Sequence, residues 1–210
     1  MADGATLSGV HGGRESRWVP ARRCLNSTAP LMVWDWLLDA SSLTRRLQQI
    51  CEGRFQVRVL QQNWGRPFAS ERRALGVKQG ERVLIREVRL MCNDRPWVFA
   101  RTIIPVRSLR GALRRLVYLG NKPLGAALFA DPHMHRGKVE IARIGPDEQL
   151  FVLANDGMPY PEAIWGRRSV FWLHGKSLLV SEIFLPALMQ FARDKGNNRD
   201  GSGGLQTASR

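Results

Sequence analysis

Two charged residues interrupt the apolar faces of predicted β-strands in this 210-residue chain. Successive side chains of a strand point to opposite faces of its sheet. In residues 84–90 this alternation places Arg86 on the face that carries two leucines and a valine. In residues 178–185 it places Glu182 between a valine and a phenylalanine. A buried charge is costly unless it is paired, so the fold must supply an opposite charge or an ionic ligand at both positions.

Two interpretations of these charges stay open. In the first, Arg86 and Glu182 pair with each other or with neighbours across the sheet, since structural ion pairs are common. In the second, they line a ligand cavity, where the planar guanidinium of Arg86 would hold a carboxylate and Glu182 would bond a hydroxyl group or move a proton. Arg101 also alternates onto an apolar face, and for it we expect an edge position with the head group reaching solvent.

The apolar segments predict an antiparallel β-sheet. They are rich in β-branched, aromatic and leucine residues and are bounded by turn signals. Asn93-Asp94 separates two of them and His174-Gly175-Lys176 divides the last, as short hairpin turns would. The predicted strands lie within residues 55–60, 82–91, 97–104, 138–144 and 169–185.

Helical spacing of apolar residues predicts several short helices. Residues 31–50 show this spacing with an interruption midway, which predicts two helices joined by a tight turn. Ser41 or Ser42 is a suitable N-cap for the second helix. Residues 108–119 and 123–129 also read as short helices. Because strands and helices are segregated rather than alternating one by one, the sequence predicts an α+β fold with a single antiparallel sheet.

The folded body is predicted to be one domain over residues 31–193. Residues 1–30 are polar and aperiodic and predict a flexible arm that could lie on the domain near its end, whereas residues 194–210 predict a disordered tail. The arm lacks the apolar run of a secretory signal. The most apolar stretch, 177–189, is too short and too interrupted to span a membrane. Three cysteines without CxxC spacing indicate neither a disulfide framework nor a zinc site, and they suit a reducing cytoplasm.

The chain carries a formal net charge of +14, and arginine supplies 27 of its 32 basic residues. Nucleic-acid binding, contact with an anionic membrane surface and steering of a small acidic substrate would each explain this charge. The basic residues are scattered as pairs, which weakens the polybasic interpretations. His133 and His135 have no convincing third ligand, so we predict no metal site, and we expect His174 in a solvated turn. The sequence contains no phosphate-binding glycine loop and no serine nucleophile elbow.

Six groups of residues, in this order and spacing, resemble the chorismate pyruvate-lyase family over about residues 35–187. Each group alone is weak evidence, and their order makes the resemblance specific. The resemblance implies an α+β fold in which helical flaps on one antiparallel sheet cover an internal, water-poor cavity. The groups are DWLL with SLTRR (35–46), REV (86–88), PW with ART and P (96–105), KPLG (122–125), WGRRS (165–169) and SEIFLP (181–186).

The resemblance also implies an activity and a site. The family converts chorismate to 4-hydroxybenzoate and pyruvate at the entry to ubiquinone synthesis, without a metal or organic cofactor. The implied ligand site consists of the side chains of Arg86 and Glu182 and the backbone near Leu43 and Leu124. There the arginine and backbone N–H groups hold the aromatic carboxylate, and the glutamate meets the ring hydroxyl. We therefore expect a cytoplasmic monomer with no nucleic-acid partner and no stable membrane insertion, which releases its product slowly.

A second interpretation is a non-catalytic sensing domain for an aromatic acid. Ligand-sensing domains of some bacterial transcription regulators are similar to this fold. Such a regulator needs a DNA-reading domain of about 60 or more residues ahead of the sensor. Only the polar residues 1–30 precede the predicted domain here, so the sequence favours the enzyme.

Overall fold

A computed structural model describes residues 13–24, 29–109, 111–155 and 161–200, apart from the side chains of residues 111–112 and 196–200. Short 3₁₀ segments lie at Ala21–Arg23, Val106–Ser108 and Gly111–Tyr118. The helices and strands, in chain order, are β1 (Val19–Pro20), α1 (Leu31–Leu37), α2 (Leu43–Ile50), β2 (Phe55–Gly65), α3 (Ala69–Leu75), β3 (Val83–Cys92), β4 (Arg95–Pro105), α4 (Leu124–Phe129), β5 (Met134–Arg136), β6 (Glu140–Ile144), α5 (Gln149–Ala154), β7 (Ile164–Leu173), β8 (Lys176–Phe184) and α6 (Pro186–Asp200).

The strands form one eight-stranded sheet in the order β1-β6-β7-β8-β4-β3-β2, and β5 also pairs with β7. All of these neighbours are antiparallel. The predicted α+β fold with a single antiparallel sheet is therefore confirmed. Within the described residues, no helix is both long enough and apolar enough to cross a membrane.

Both predicted hairpins are present. Asn93 and Asp94 join β3 to β4 with φ values of 47° and 62°, and His174 and Gly175 join β7 to β8 with φ values of 49° and 72°. Two successive residues with positive φ match the right-handed twist of the flanking strands, and Asn, Asp, His and Gly tolerate that region best. The predicted N-cap of α2 is also confirmed, because the Ser42 hydroxyl accepts a hydrogen bond from the Arg45 N–H at 3.5 Å.

Helix α3 was not predicted from the sequence, because its seven residues, ASERRAL, offer little apolar periodicity. Polar contacts define its start instead. The Glu71 carboxylate accepts the N–H of Phe68 at 2.9 Å. The Glu15 carboxylate accepts the N–H groups of Ala69 and Ser70 at 2.6 and 2.8 Å. These bonds satisfy donors that the first turn of a helix leaves unpaired.

Parts of the segments outside the predicted domain are described. Residues 13–20 lie on the sheet: Ser16 is buried, and β1 pairs with β6. Helix α6 extends to Asp200, into the segment predicted as a disordered tail. The remaining parts of the predicted arm and tail, residues 1–12, 25–28 and 201–210, lie outside the described residues.

The sheet is covered on both faces. Strand register places Arg86, Thr102, Val180 and Ser169 in one cross-strand row on the same face, which we call the flap face. Helices α1, α2 and α4 pack on the flap face. The opposite face, which we call the α3 face, carries Arg101 and is covered by α3, α5 and the N-terminal segment.

Cys51 and Cys92 form a disulfide, with Cα atoms 5.8 Å apart. The bridge joins the C-terminal end of α2 to the end of β3. It differs from the expectation that the three cysteines form no disulfide. The sequence could not reveal it, because 41 positions separate the two cysteines and only the fold brings them together.

Arg101 does not reach solvent, so its predicted edge position is wrong. Strand β4 is central in the sheet, and Arg101 is only 4% exposed. Its guanidinium bonds the Glu71 carboxylate of α3 with Nε at 2.8 Å, and it also bonds the Glu87 carboxylate across the β3–β4 register. These contacts raise the pKa of Arg101 against the opposing effect of burial. The cluster ties α3 to the centre of the sheet.

We expect Arg101→Met to destabilise the fold strongly. The substitution leaves two buried carboxylates without their cation, and breaking a buried ion pair in this way costs about 3–5 kcal/mol. Urea unfolding followed by circular dichroism would measure the loss. Arg14→Met is the control, since Arg14 and Asp147 form an exposed pair at 3.5 Å and such pairs contribute at most about 1 kcal/mol. Equal, small losses for both variants would contradict the prediction.

Candidate active site

The centre of the flap face is polar, whereas its two ends are apolar. One apolar cluster joins α1 and α2 to one end of the face, and another joins α4 and the 111–118 segment to the other. Between these clusters lie four buried polar side chains and the half-buried Glu182. A polar band enclosed by apolar walls is typical of a site for a small ligand. The buried members of the band are Arg86, Thr102, Arg167 and Ser169.

Arg86 is 3% exposed and has only neutral acceptors among the described residues. Its Nη1 donates to the Gln62 side-chain oxygen at 3.0 Å. Its Nη2 donates to the carbonyl oxygens of Gly120 at 2.8 Å and Lys122 at 3.4 Å. Burial lowers the pKa of Arg86, yet an arginine remains charged in proteins. The positive charge is therefore buried without a described carboxylate partner.

Glu182 pairs with a neighbour across the sheet and not with Arg86. Its carboxylate accepts a hydrogen bond from Nε of Arg167 at 2.6 Å, and the two residues face each other in the β7–β8 register. Arg167 is 1% exposed, and the Glu182 side chain is 19% exposed. The structural interpretation of the sequence is thus confirmed for Glu182, which has a cross-strand partner. For Arg86 it is wrong within the described residues.

Leu43 and Leu124 are the first residues of α2 and α4, and the starts of these two helices meet. Leu43 is buried and Leu124 is half-buried. A Cβ atom at Gly125 would lie 3.2 Å from the Thr44 hydroxyl oxygen, so a glycine permits this close approach. The first-turn N–H groups of a helix have no acceptor within it, and the helix dipole favours an anion at that end. The two helix starts therefore offer donors on the same side of the site.

Arg136 also belongs to the polar band, although its sequence context did not distinguish it from the other arginines. Its Nε donates to the Ser169 hydroxyl at 3.1 Å, and its Nη1 donates to the carbonyl oxygen of Asp39 at 3.2 Å. The guanidinium lies 5.5 Å from the ring centroid of Phe171. Burial, and to a lesser degree the Arg167 charge, lower its pKa. The three-residue strand β5 is too short to show periodicity, so no sequence signal separated this arginine from the others.

The histidines meet away from the polar band. His133 and His174 lie 3.4 and 3.3 Å from the Asp131 carboxylate, and in the described part of the chain this is the one group with metal-ligand spacing. His135 instead contacts the ring of Trp172. Arg115 lies 3.5 Å from the same Asp131 carboxylate and already supplies it with a cation. The His133–His135 spacing was therefore not the relevant pairing, because the partner of His133 comes from the β7–β8 turn.

Known proteins resemble this chain. Among solved structures, the ligand-binding domain of a putative GntR-family transcriptional regulator from Bordetella bronchiseptica matches with a TM-score of 0.47 and 18% identity, over 63% of this chain and 86% of that chain. A protein named probable chorismate pyruvate-lyase from Azoarcus sp. strain BH72 is 47% identical to this chain, over 80% of this chain and 90% of the relative. A protein of the same name from Pseudomonas aeruginosa strain UCBPP-PA14 is 38% identical, over 81% of this chain and 92% of the relative. The family model described as chorismate lyase matches residues 14–194, and the chain belongs to that family.

Proposed function

We propose that this chain is a chorismate pyruvate-lyase, which converts chorismate to 4-hydroxybenzoate and pyruvate in the first committed step of ubiquinone biosynthesis. The observation that carries the proposal is the buried Arg86 guanidinium with neutral acceptors, on the same sheet face as Glu182. A buried cation of this kind favours a carboxylate ligand, and the substrate in the relatives' name is a carboxylate. The proposal includes a cytoplasmic monomer that uses no metal or organic cofactor.

The chemistry needs little beyond correct binding. Chorismate is a dianion, and its ring becomes aromatic when the C–O bond to the enolpyruvyl group breaks. The ring carbon that bears the hydroxyl loses its hydrogen, which reaches the methylene carbon of the leaving group as the enol oxygen becomes the carbonyl of pyruvate. Atoms and charge then balance without a co-reactant. Because aromatisation drives the reaction, the main contribution of the enzyme is to hold the substrate in its reactive conformation.

In this proposal Arg86 binds the ring carboxylate. Its planar fork can make two parallel charge-assisted hydrogen bonds to a carboxylate. Backbone N–H groups near Leu43 and Leu124 would donate to the same group from the starts of α2 and α4. The helices that cover the flap face would exclude water, which strengthens these interactions.

Glu182 would orient the substrate through its ring hydroxyl. As a carboxylate held by Arg167, it accepts hydrogen bonds, so the hydroxyl would donate to it. One of its oxygens already bonds the Arg167 guanidinium at 2.6 Å, which fixes the direction in which the other points. This geometry supports a positioning role more than that of an obligatory base.

The experiment that tests the function is incubation of the purified protein with chorismate in the presence of a chelator and without nucleotide. Chromatography should show 4-hydroxybenzoate and pyruvate in equal amounts, above a blank without enzyme. An initial burst equal to the enzyme concentration is expected if product release limits turnover. Tight binding of 4-hydroxybenzoate without any turnover would contradict the enzyme and support the aromatic-acid sensor.

Arg86→Ala should weaken 4-hydroxybenzoate binding by about 100-fold or more, because the buried carboxylate would lose its charge partner. Calorimetric titration would measure the dissociation constant. Arg89→Ala is the matched control, since Arg89 lies on the same strand but on the α3 face, where it donates to the Asn155 carbonyl at 3.1 Å. Unchanged affinity in Arg86→Ala, or an equal loss in both variants, would contradict the assignment.

Glu182→Gln separates orientation from proton transfer. The amide oxygen can keep the bond from Arg167, and the amide NH2 can then donate to the hydroxyl oxygen of the substrate, so kcat should fall by no more than about tenfold if Glu182 only positions the substrate. Steady-state kinetics at saturating chorismate would measure it, with Glu182→Ala as the variant that removes the acceptor altogether. A fall of several orders of magnitude in Glu182→Gln would show that the carboxylate moves a proton.

A further inference from the structure

The flap face carries more positive charge than its own carboxylate can balance. Among the described strand residues on this face, the buried or half-buried charges are three guanidiniums and one carboxylate. Arg167 and Glu182 neutralise each other at 2.6 Å. Two cations, Arg86 and Arg136, remain. The nearby Asp39 carboxylate does not change this balance, because it pairs with Arg46 at 2.8 Å.

Arg86 and Arg136 share an unusual environment. Every described hydrogen bond of Arg86 goes to a neutral acceptor, and the same holds for Arg136, whose acceptors are a hydroxyl and a carbonyl oxygen. A guanidinium has five N–H donors, so both side chains keep donors for a further partner. Removing a cation from water without an anion is costly, which means that each of these sites gains most from a bound carboxylate.

We propose that Arg136 binds the enolpyruvyl carboxylate of chorismate, while Arg86 binds the ring carboxylate. The inference rests on the proposed function and adds to it a second anion subsite. It explains why the face has two uncompensated cations: the proposed substrate has two carboxylates.

The positions of the two arginines fit the shape of the substrate. In chorismate the enolpyruvyl ether is bonded to the ring carbon next to the hydroxyl, and the ring carboxylate lies at the opposite end. Arg136 interacts electrostatically with Glu182, the group proposed to meet the hydroxyl. Its partner Ser169 lies three strands from Arg86 in the same row, a span of about 14 Å at the usual strand spacing. In the proposal, one dicarboxylate lies between the two guanidiniums.

The subsite also predicts that substrate and product differ in how strongly their affinity depends on Arg136. After cleavage, each monoanion keeps one guanidinium: 4-hydroxybenzoate stays at Arg86, and pyruvate stays at Arg136. The aromatic product has no second carboxylate, so its affinity should not depend on Arg136. Loss of Arg136 should therefore affect the two ligands differently, whereas loss of Arg86 should affect both.

The test compares Arg136→Met, Arg136→Lys and wild type with two stable probes and with chorismate. The probes are 4-hydroxybenzoate and 3-(carboxymethoxy)-4-hydroxybenzoate, which carries a second carboxylate on the ether oxygen beside the hydroxyl. For Arg136→Met we expect the dicarboxylate to bind at least 30-fold more weakly and kcat/KM for chorismate to fall at least 100-fold. The dissociation constant of 4-hydroxybenzoate should change less than threefold. Arg136→Lys should recover part of the dicarboxylate affinity, because it restores the charge without the fork.

Arg168→Met is the control for removal of a buried arginine. Arg168 lies on β7 but on the α3 face, paired with Glu140 at 2.7 Å, and its loss should leave the ratio of the two probe affinities unchanged. Equal weakening of both probes in Arg136→Met, or an unchanged ratio, would overturn the proposal. The probes need no turnover, so a wild-type protein that fails to cleave chorismate would refute the proposed function while the probe ratio still decides the subsite.

Discussion

The ion pair between Arg167 and Glu182 holds the helical cover on the sheet. The Arg167 guanidinium bonds the Glu182 carboxylate at 2.6 Å and donates to the carbonyl oxygens of Trp36 at 2.7 Å and Asp39 at 2.5 Å. The Trp36 carbonyl lies in the last turn of α1, where a helix leaves its last oxygens without intrahelical donors and favours a cation, and the Asp39 carbonyl lies in the turn that follows. One buried side chain thus joins β7, β8 and the turn between α1 and α2. Since that turn leads directly into α2, the same bonds set where Leu43 lies over the site.

Adjacent polar residues in the central strands serve opposite faces of the sheet. Side chains alternate along a strand, so Arg86-Glu87, Arg101-Thr102 and Ser181-Glu182 each send one residue to the flap face and the other to the α3 face. On the α3 face, Glu87 and Arg101 join the ion cluster with α3. On the flap face, Arg86 and Glu182 line the proposed site. Each of these three residue pairs therefore contributes one side chain to the α3 face and one to the face of the proposed ligand site.

Sequence patterns within one segment predicted the features that depend on local geometry. They failed where residues distant in the sequence determine the contacts of a side chain. Alternation along one strand was enough to find Arg86 and Glu182, and turn residues were enough to find both hairpins. The partner of Glu182 could not be predicted, because it depends on the register of β7 against β8. Arg101 was misplaced because Glu71, one of its partners, lies in a helix without apolar periodicity. Arg136 was missed because its bonding to neutral acceptors is a property of the folded site and not of its three-residue strand.

In the proposed site, ligand binding at Arg86 would be coupled to the position of α4. Arg86 is 3% exposed, so a ligand reaches it only when part of the cover moves. Helix α2 is held at its C-terminal end by the disulfide of Cys51, and the turn before it is held by Arg167. The segment leading into α4 is held differently, because Arg86 itself donates to the carbonyl oxygens of Gly120 and Lys122. A carboxylate held by two parallel bonds needs Nη2 as one of its donors, so in the proposed site it would compete with these carbonyl oxygens through stronger, charge-assisted bonds. In the proposed site, binding would therefore exchange the attachment of the α4 segment to Arg86 for the attachment of the ligand, and it would leave the Arg167 bonds and the disulfide in place.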